Sequence, residues 1–167
     1  MKKISLTLLV ALLGVTMGFS QKFAYVDTEY ILGRIPAYEA AQNQLDKFSS
    51  DWQKEIEEGM TEVEKLYKNY QAERVLLTED MRTKREDAII QREKEVKDLQ
   101  KKYFAPEGEL YKKRQELVKP IQDQVFNAIK ALADEGAYAI IFDSASGPTM
   151  LYTNPRWDKS DDVLEKM

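Results

Sequence analysis

The sequence predicts a mainly helical α+β protein: a long antiparallel helical hairpin on a small β-rich oligomerisation body. Three observations predict it. Apolar residues recur every three or four positions along most of the chain, among charged residues that make up 32% of the whole, which is the mark of long amphipathic helices. Short β-prone segments stand at both ends of that stretch. Those segments hold too few apolar residues for a free-standing sheet, so they need partners, and copies of the same chain are the simplest ones.

Residues 1–20 (MKKISLTLLVALLGVTMGFS) read as a secretion signal. Lys2 and Lys3 form its positive start, Ile4 to Met17 an apolar run short for a membrane span, and Gly18-Phe19-Ser20 the cleavage region. Cleavage near Ser20 sets the mature start at Gln21. The segments 21–35 and 136–167 are assigned to the β-rich body, and 36–135 to the hairpin arm, with its tip near 75–80.

Lys22 to Asp27 (KFAYVD) is strand-like, and Thr28 to Gly33 reads as a short helix ended by glycine. Pro36 suits the first turn of the next helix, where a missing N–H costs nothing. From Ala37 to about Leu77 one apolar stripe runs through Ala41, Leu45, Phe48, Trp52, Ile56, Met60, Val63, Leu66 and Tyr70. Thr78-Glu79-Asp80 then looks like a fresh helix start, a capping hydroxyl followed by acids in the first turn.

The second helical pattern runs from about Glu79 to Glu135. Its stripe passes through Ala88, Arg92, Val96, Leu99 and Tyr103, then Leu110, Leu117, Ile121, Val125, Ala128 and Leu132. Pro106 and Gly108 interrupt it and Pro120 lies within it, so a bend is expected at Ala105 to Gly108 and a gentler kink before Pro120. Gly59 is a matching weak point on the first helix, which makes Gly59, Pro106 and Gly108 the candidate hinge. Tyr138 to Asp143 (YAIIFD) and Thr149 to Thr153 (TMLYT) are strand-like around a turn at Ser144-Ala145-Ser146-Gly147-Pro148. Ser160 is expected to cap a short last helix through Val163 and Leu164.

Composition excludes several classes. Without cysteine there is no disulfide, thiolate metal site or lipidated cysteine. Without histidine the commonest general base, zinc ligand and pH switch are missing. Losing Lys2 and Lys3 with the signal leaves 23 basic against 29 acidic side chains, a formal charge of -6, which argues against nucleic-acid binding. An enzyme would have to use Asp27 and Asp143, each ending a strand, yet aspartate there is more often a cap or turn residue. No catalytic residue, cofactor or metal site is expected. A structural coiled-coil spacer or adaptor of the cell envelope is the alternative reading.

The strand after the signal (KFAYVDTEYILGRIPAYEAA), the charged helical middle and the ending AIKALADEGAYAIIFDSASGPTMLYTNPRWDKSDDVLEKM resemble the Skp/OmpH family of periplasmic chaperones. In that ending Ala128-Ile129, Leu132-Ala133, Gly136, Ile140, Phe142-Asp143, Leu151-Tyr152 and Val163-Leu164 fit the family pattern. The resemblance implies a jellyfish-like homotrimer in the periplasm, with strands of three subunits forming the body and three hairpins as tentacles. It implies an ATP-independent holdase that keeps unfolded outer-membrane β-barrel proteins from aggregating.

Well-studied family members are basic, whereas this chain is acidic, and its arms are expected to be acidic overall. Arg74, Arg82, Lys84 and Arg85 near the tip alternate with Glu73, Glu79, Asp80, Glu86 and Asp87. Contact with a membrane surface should therefore be weak at most, and holding should rest on apolar side chains. The candidate client-binding residues are Tyr67, Val75, Leu76, Met81, Ile90, Phe104 and Tyr111, all off the stripe. Phe23, Tyr25, Ile31, Ile140, Phe142, Leu151 and Tyr152 are assigned to the body and its subunit interfaces.

Overall fold

The computed structural model describes residues 21–145, 147 and 150–167; the segment read as a secretion signal lies outside them. In chain order the elements are strand β1 (Lys22–Val26), helices α1 (Thr28–Gly33) and α2 (Pro36–Glu73), and a 3-10 turn over Arg74–Leu76. Helices α3 (Glu79–Phe104), α4 (Glu109–Leu117) and α5 (Lys119–Gly136) follow, then strand β2 (Tyr138–Asp143), a 3-10 turn over Pro155–Trp157 and helix α6 (Ser160–Leu164). The chain divides into two compact units. One is Ile31–Phe126; the other joins the chain up to Tyr30 with Asn127–Met167.

The first unit is a helical hairpin. With 38 residues, α2 is roughly 57 Å long at ~1.5 Å per residue. Its buried positions, Ala41, Leu45, Ile56, Gly59 and Tyr70, follow the steps of three and four that the sequence shows. Thr78 caps α3, its hydroxyl accepting from the Met81 N–H at 3.4 Å. At the end of the hairpin away from the Arg74–Leu76 turn, Ala41 and Leu45 pack with Val118 and Ile121. Further along, Ile56 packs with Val96 and Tyr103, flanked by Trp52, Val63 and Leu99.

The register is antiparallel and set by named pairs. Trp52 stacks on Tyr103 with ring centroids 4.8 Å apart, Arg92 reaches Glu62 at 2.6 Å, and the Tyr70 hydroxyl donates to Glu86. Gly59 does not interrupt α2. A Cβ there would stand 2.8 Å from Val96 Cγ2, so the glycine is where α3 comes closest, and Met60 is displaced from the seam to an exposed position. On α3 the buried residue is Ile89, one position beyond the expected Ala88.

The second helical strand is interrupted at both expected places. The segment 105–108 separates α3 from α4, with the Gly108 N–H donating to the Ala105 carbonyl at 2.8 Å. A Cβ on Gly108 would meet the Lys102 and Tyr103 carbonyl oxygens at 2.9 Å, so this close chain crossing needs glycine. The break between α4 and α5 falls at Val118, two residues before Pro120, which has no N–H to continue the ladder.

In the other unit β1 pairs with β2 in parallel, Phe23 beside Ile140 and Tyr25 beside Phe142. Ala24 and Val26 are buried, whereas Phe23, Ile140 and Phe142 are exposed. Both candidate catalytic carboxylates have structural work. Asp27 accepts the Tyr30 N–H at 2.9 Å and so caps α1. Asp143 accepts from the Thr28 N–H and hydroxyl, at 3.2 and 2.7 Å, and from the Ala145 N–H at 3.0 Å.

Two expectations fail here. Met150 to Thr153 form no strand: the second edge of β1 is taken by Asp158, which bridges Tyr25, and by Lys159, whose N–H donates to the Tyr25 carbonyl at 2.9 Å. Ser160 is not the cap of α6 but its first residue, with Lys159 flanking. Its buried hydroxyl instead accepts the Asp27 N–H at 2.9 Å and donates to Asp158 at 2.6 Å, tying the chain end to the end of β1.

Candidate functional site

No helix among the described residues is long and apolar enough to cross a membrane, and no group of three or more acidic side chains among them is placed to hold a metal ion. What the two units do offer is apolar surface, of two kinds.

On the hairpin the exposed apolar side chains are dispersed. Tyr67 lies on α2, Met81 and Ile90 on α3, Phe104 at the end of α3 and Tyr111 on α4, all exposed. Val75 and Leu76 form the 3-10 turn between α2 and α3 and are each 84% exposed, because three residues reversing direction have nothing to pack against. Single exposed apolar residues are ordinary; a whole set along one hairpin is less so. Two further members are Met60, displaced by Gly59, and Phe126, which follows the buried Val125 on α5. Phe126 was legible as another off-stripe aromatic. The residues do not converge on one pocket, although Phe104 and Met60 line a shared hollow of about 450 Å³ with Ile56.

Charges near the turn are largely engaged with one another. Arg85 pairs with Glu73 at 3.2 Å, Lys84 with Asp80 at 2.7 Å and Arg82 with Glu79 at 3.6 Å. Such exposed pairs add little stability, but they leave no uncompensated basic cluster there. Over 36–135, the bounds expected for the arm, 18 basic side chains stand against 22 acidic ones, so the arm is acidic overall as expected. From Gln21 onward, residues 31–126 hold 18 basic and 20 acidic side chains, while the remainder hold 5 and 9. By that division the hairpin unit is close to neutral, because Asp134 and Glu135 fall in the unit with the strands.

Hydrogen bonds across the hairpin tune individual groups. The Tyr103 hydroxyl donates to Glu55 at 2.8 Å, and that bond, with some burial, raises its pKa above the ordinary tyrosine value. A raised folded pKa means the stabilisation is complete below the unfolded tyrosine pKa of about 10 and disappears as pH rises through the folded value. Tyr103→Phe should therefore lower stability by about 1 kcal/mol at neutral pH and remove this residue's share of the alkaline decline. Urea unfolding at pH 7 and above pH 10 checks it; an unchanged midpoint at pH 7 would show that the bond contributes nothing.

In the unit with the strands the apolar surface is contiguous. Phe23, Tyr25, Ile140 and Phe142 stand side by side in the register of the sheet, Tyr25 being half-buried and the other three exposed. A cavity of about 450 Å³ adjoins them, lined also by Met150, Tyr152 and Trp157. Leu151 and Tyr152 are 98% and 82% exposed. Ile31 differs from the rest of its predicted group. It is 0% exposed, packed inside its own chain, and so cannot belong to a surface offered to another one.

Comparison with known proteins adds to these features. A family model described as outer membrane protein (OmpH-like) matches residues 22–167. An uncharacterized protein of Aquifex aeolicus (strain VF5) is 29% identical over 151 residues, covering 90% of this chain and 88% of its own. A crystal structure from Caulobacter crescentus CB15, of a protein given the proposed role of OmpH-like outer membrane chaperone, superposes with a TM-score of 0.66. It is 12% identical and covers 87% of this chain and 82% of that one; at that identity the likeness is one of fold.

Proposed function

This chain belongs to the OmpH-like family, and from that premise we propose that it is a periplasmic, ATP-independent holdase for unfolded outer-membrane β-barrel proteins. The observation that carries the reading is the dispersed exposure of Tyr67, Val75, Leu76, Met81, Ile90, Phe104 and Tyr111 on a near-neutral hairpin. A holdase serves many sequences, so it gains from many weak contacts rather than one selective pocket, and methionine and tyrosine adapt to varied surfaces. The role requires no catalytic group, cofactor or nucleic-acid contact. With Arg82, Lys84 and Arg85 paired to acids, attraction to an anionic membrane is weak at most.

The working form in this reading is a homotrimer, with the segments 21–35 and 136–167 as its body and the hairpin as its arm. Parallel sheets are ordinarily covered on both faces, yet the Phe23, Ile140 and Phe142 side of this two-stranded sheet is open, and Leu151 and Tyr152 lie in a β-prone segment without a strand partner. Copies of the same chain supply both a cover and a partner.

The deciding experiment is light scattering of an unfolded β-barrel protein diluted from denaturant, with and without the chaperone. The native protein should suppress aggregation stoichiometrically and without nucleotide. Changing Val75, Leu76, Met81 and Ile90 together to serine should abolish most of that suppression while native mass and helicity stay the same. Equal suppression by the quadruple variant would sink the assignment of these residues.

A further inference from the structure

We propose that the hairpin carries a discrete groove, floored by Met60, that seats an extended apolar segment of an unfolded polypeptide flanked by basic residues. The proposal rests on the holding function above and gives it a defined subsite and a preferred sequence class.

Gly59 creates the groove. With no side chain at that seam position, Val96 approaches α2 directly, and Met60, the next residue, turns outward to stand 47% exposed. Two hollows adjoin there, of about 450 and 300 Å³, and share Met60 and Gln100. Ile56 and Phe104 line the larger one, Val63 and Val96 the smaller. From Gln53 to Val63 the groove follows α2 for roughly 15 Å at ~1.5 Å per residue. That length matches four or five extended residues at ~3.3 Å each.

Size, polarity and charge identify the occupant. A stable folded partner needs about 800 Å² on each side, far more than a groove with room for two or three side chains. The Gln53 and Gln100 amides have no side-chain partner among the described residues, and each offers a donor and an acceptor to a passing main chain. A peptide uses both, whereas a lipid chain would leave them unpaired. On the lips, Glu57 of α2 and Glu93 of α3 make no ion pair among the described residues, against one lysine likewise unpaired there, Lys97. Along 51–64 six acids face a single lysine in sequence. Lysine or arginine beside the seated apolar residue is therefore favoured.

The test is fluorescence anisotropy of the full-length mature protein with a short, unstructured, fluorescein-labelled peptide carrying one phenylalanine between lysines. Peptides with serine for phenylalanine, or glutamate for the lysines, should bind more weakly. Met60→Lys should raise Kd at least about tenfold, since it puts a charge on the apolar floor and repels the flanks. Gln100→Ala should raise it about threefold. Equal affinity of the native protein and Met60→Lys overturns the groove. If Met60→Lys loses helicity, the decision passes to Gln100→Ala, whose unchanged affinity overturns it equally. Equal binding of the lysine-flanked and glutamate-flanked peptides overturns the preference for basic flanks. A native protein that fails to suppress aggregation of an unfolded β-barrel overturns the holdase reading instead, so the two failures are distinguishable.

Discussion

Ile31→Ala is expected to lower the thermal midpoint by the same amount at every protein concentration. Ile31 is completely buried within its own chain, and truncating such a side chain costs about 2–5 kcal/mol, the transfer of the lost methyl groups plus the cavity left behind. In an oligomer held by surface contacts, a mutation inside the protomer lowers stability equally at every concentration, while the loss from a mutation at the contact is largest where the native protein is assembled and shrinks on dilution. Circular dichroism melts over a hundredfold range of concentration, on the order of what mass action needs to show, separate the two. A loss that shrinks on dilution would return Ile31 to an interface.

Ile140→Asp should do the opposite, leaving the protomer folded and taking the assembly apart. Ile140 is on the open side of β2, beside Phe23 in the register of the sheet, so in the isolated chain a carboxylate there keeps its water. Buried against another copy it would lose that water without a partner, which costs several kcal/mol for each interface. Light scattering should give a protomer mass for the variant and a threefold mass for the native protein, with helical circular dichroism alike in both. A variant with the native mass would remove this face from the interface, and a native protein of protomer mass would remove the oligomer.

Those two isoleucines show where sequence reading stops. Both are apolar, both lie in or near β-rich segments, and nothing local separates the one that is covered from the one that is not. Features carried by local chemistry were legible: the stripe through Ala41, Leu45, Ile56 and Tyr70, the Thr78 cap and the breaks around Pro106 and Pro120. Features that depend on a distant partner were not. Met60 scores as a core residue until Val96 is found against Gly59, and the seam through α3 is one position off, at Ile89 rather than Ala88. The strand character of TMLYT is real as propensity, but a strand requires a neighbour, and the nearby edge of β1 is occupied by Asp158. The exposed candidates were the easier group, because a stripe that is already full leaves its off-stripe apolar neighbours outside.

The parallel pairing of β1 with β2 also fixes an order of events. A strand at Lys22 that must wait for one at Tyr138 cannot pair until nearly the whole chain has been delivered, and closing so long a loop in a disordered chain is slow. The helices between them can zip from their own connection as soon as α3 emerges. When Ala41 and Leu45 have met Val118 and Ile121, the disordered loop that remains is short. The hairpin thus assembles first and the sheet closes last, so the exposed side chains of the hairpin are in place before Phe23 and Ile140 stand side by side.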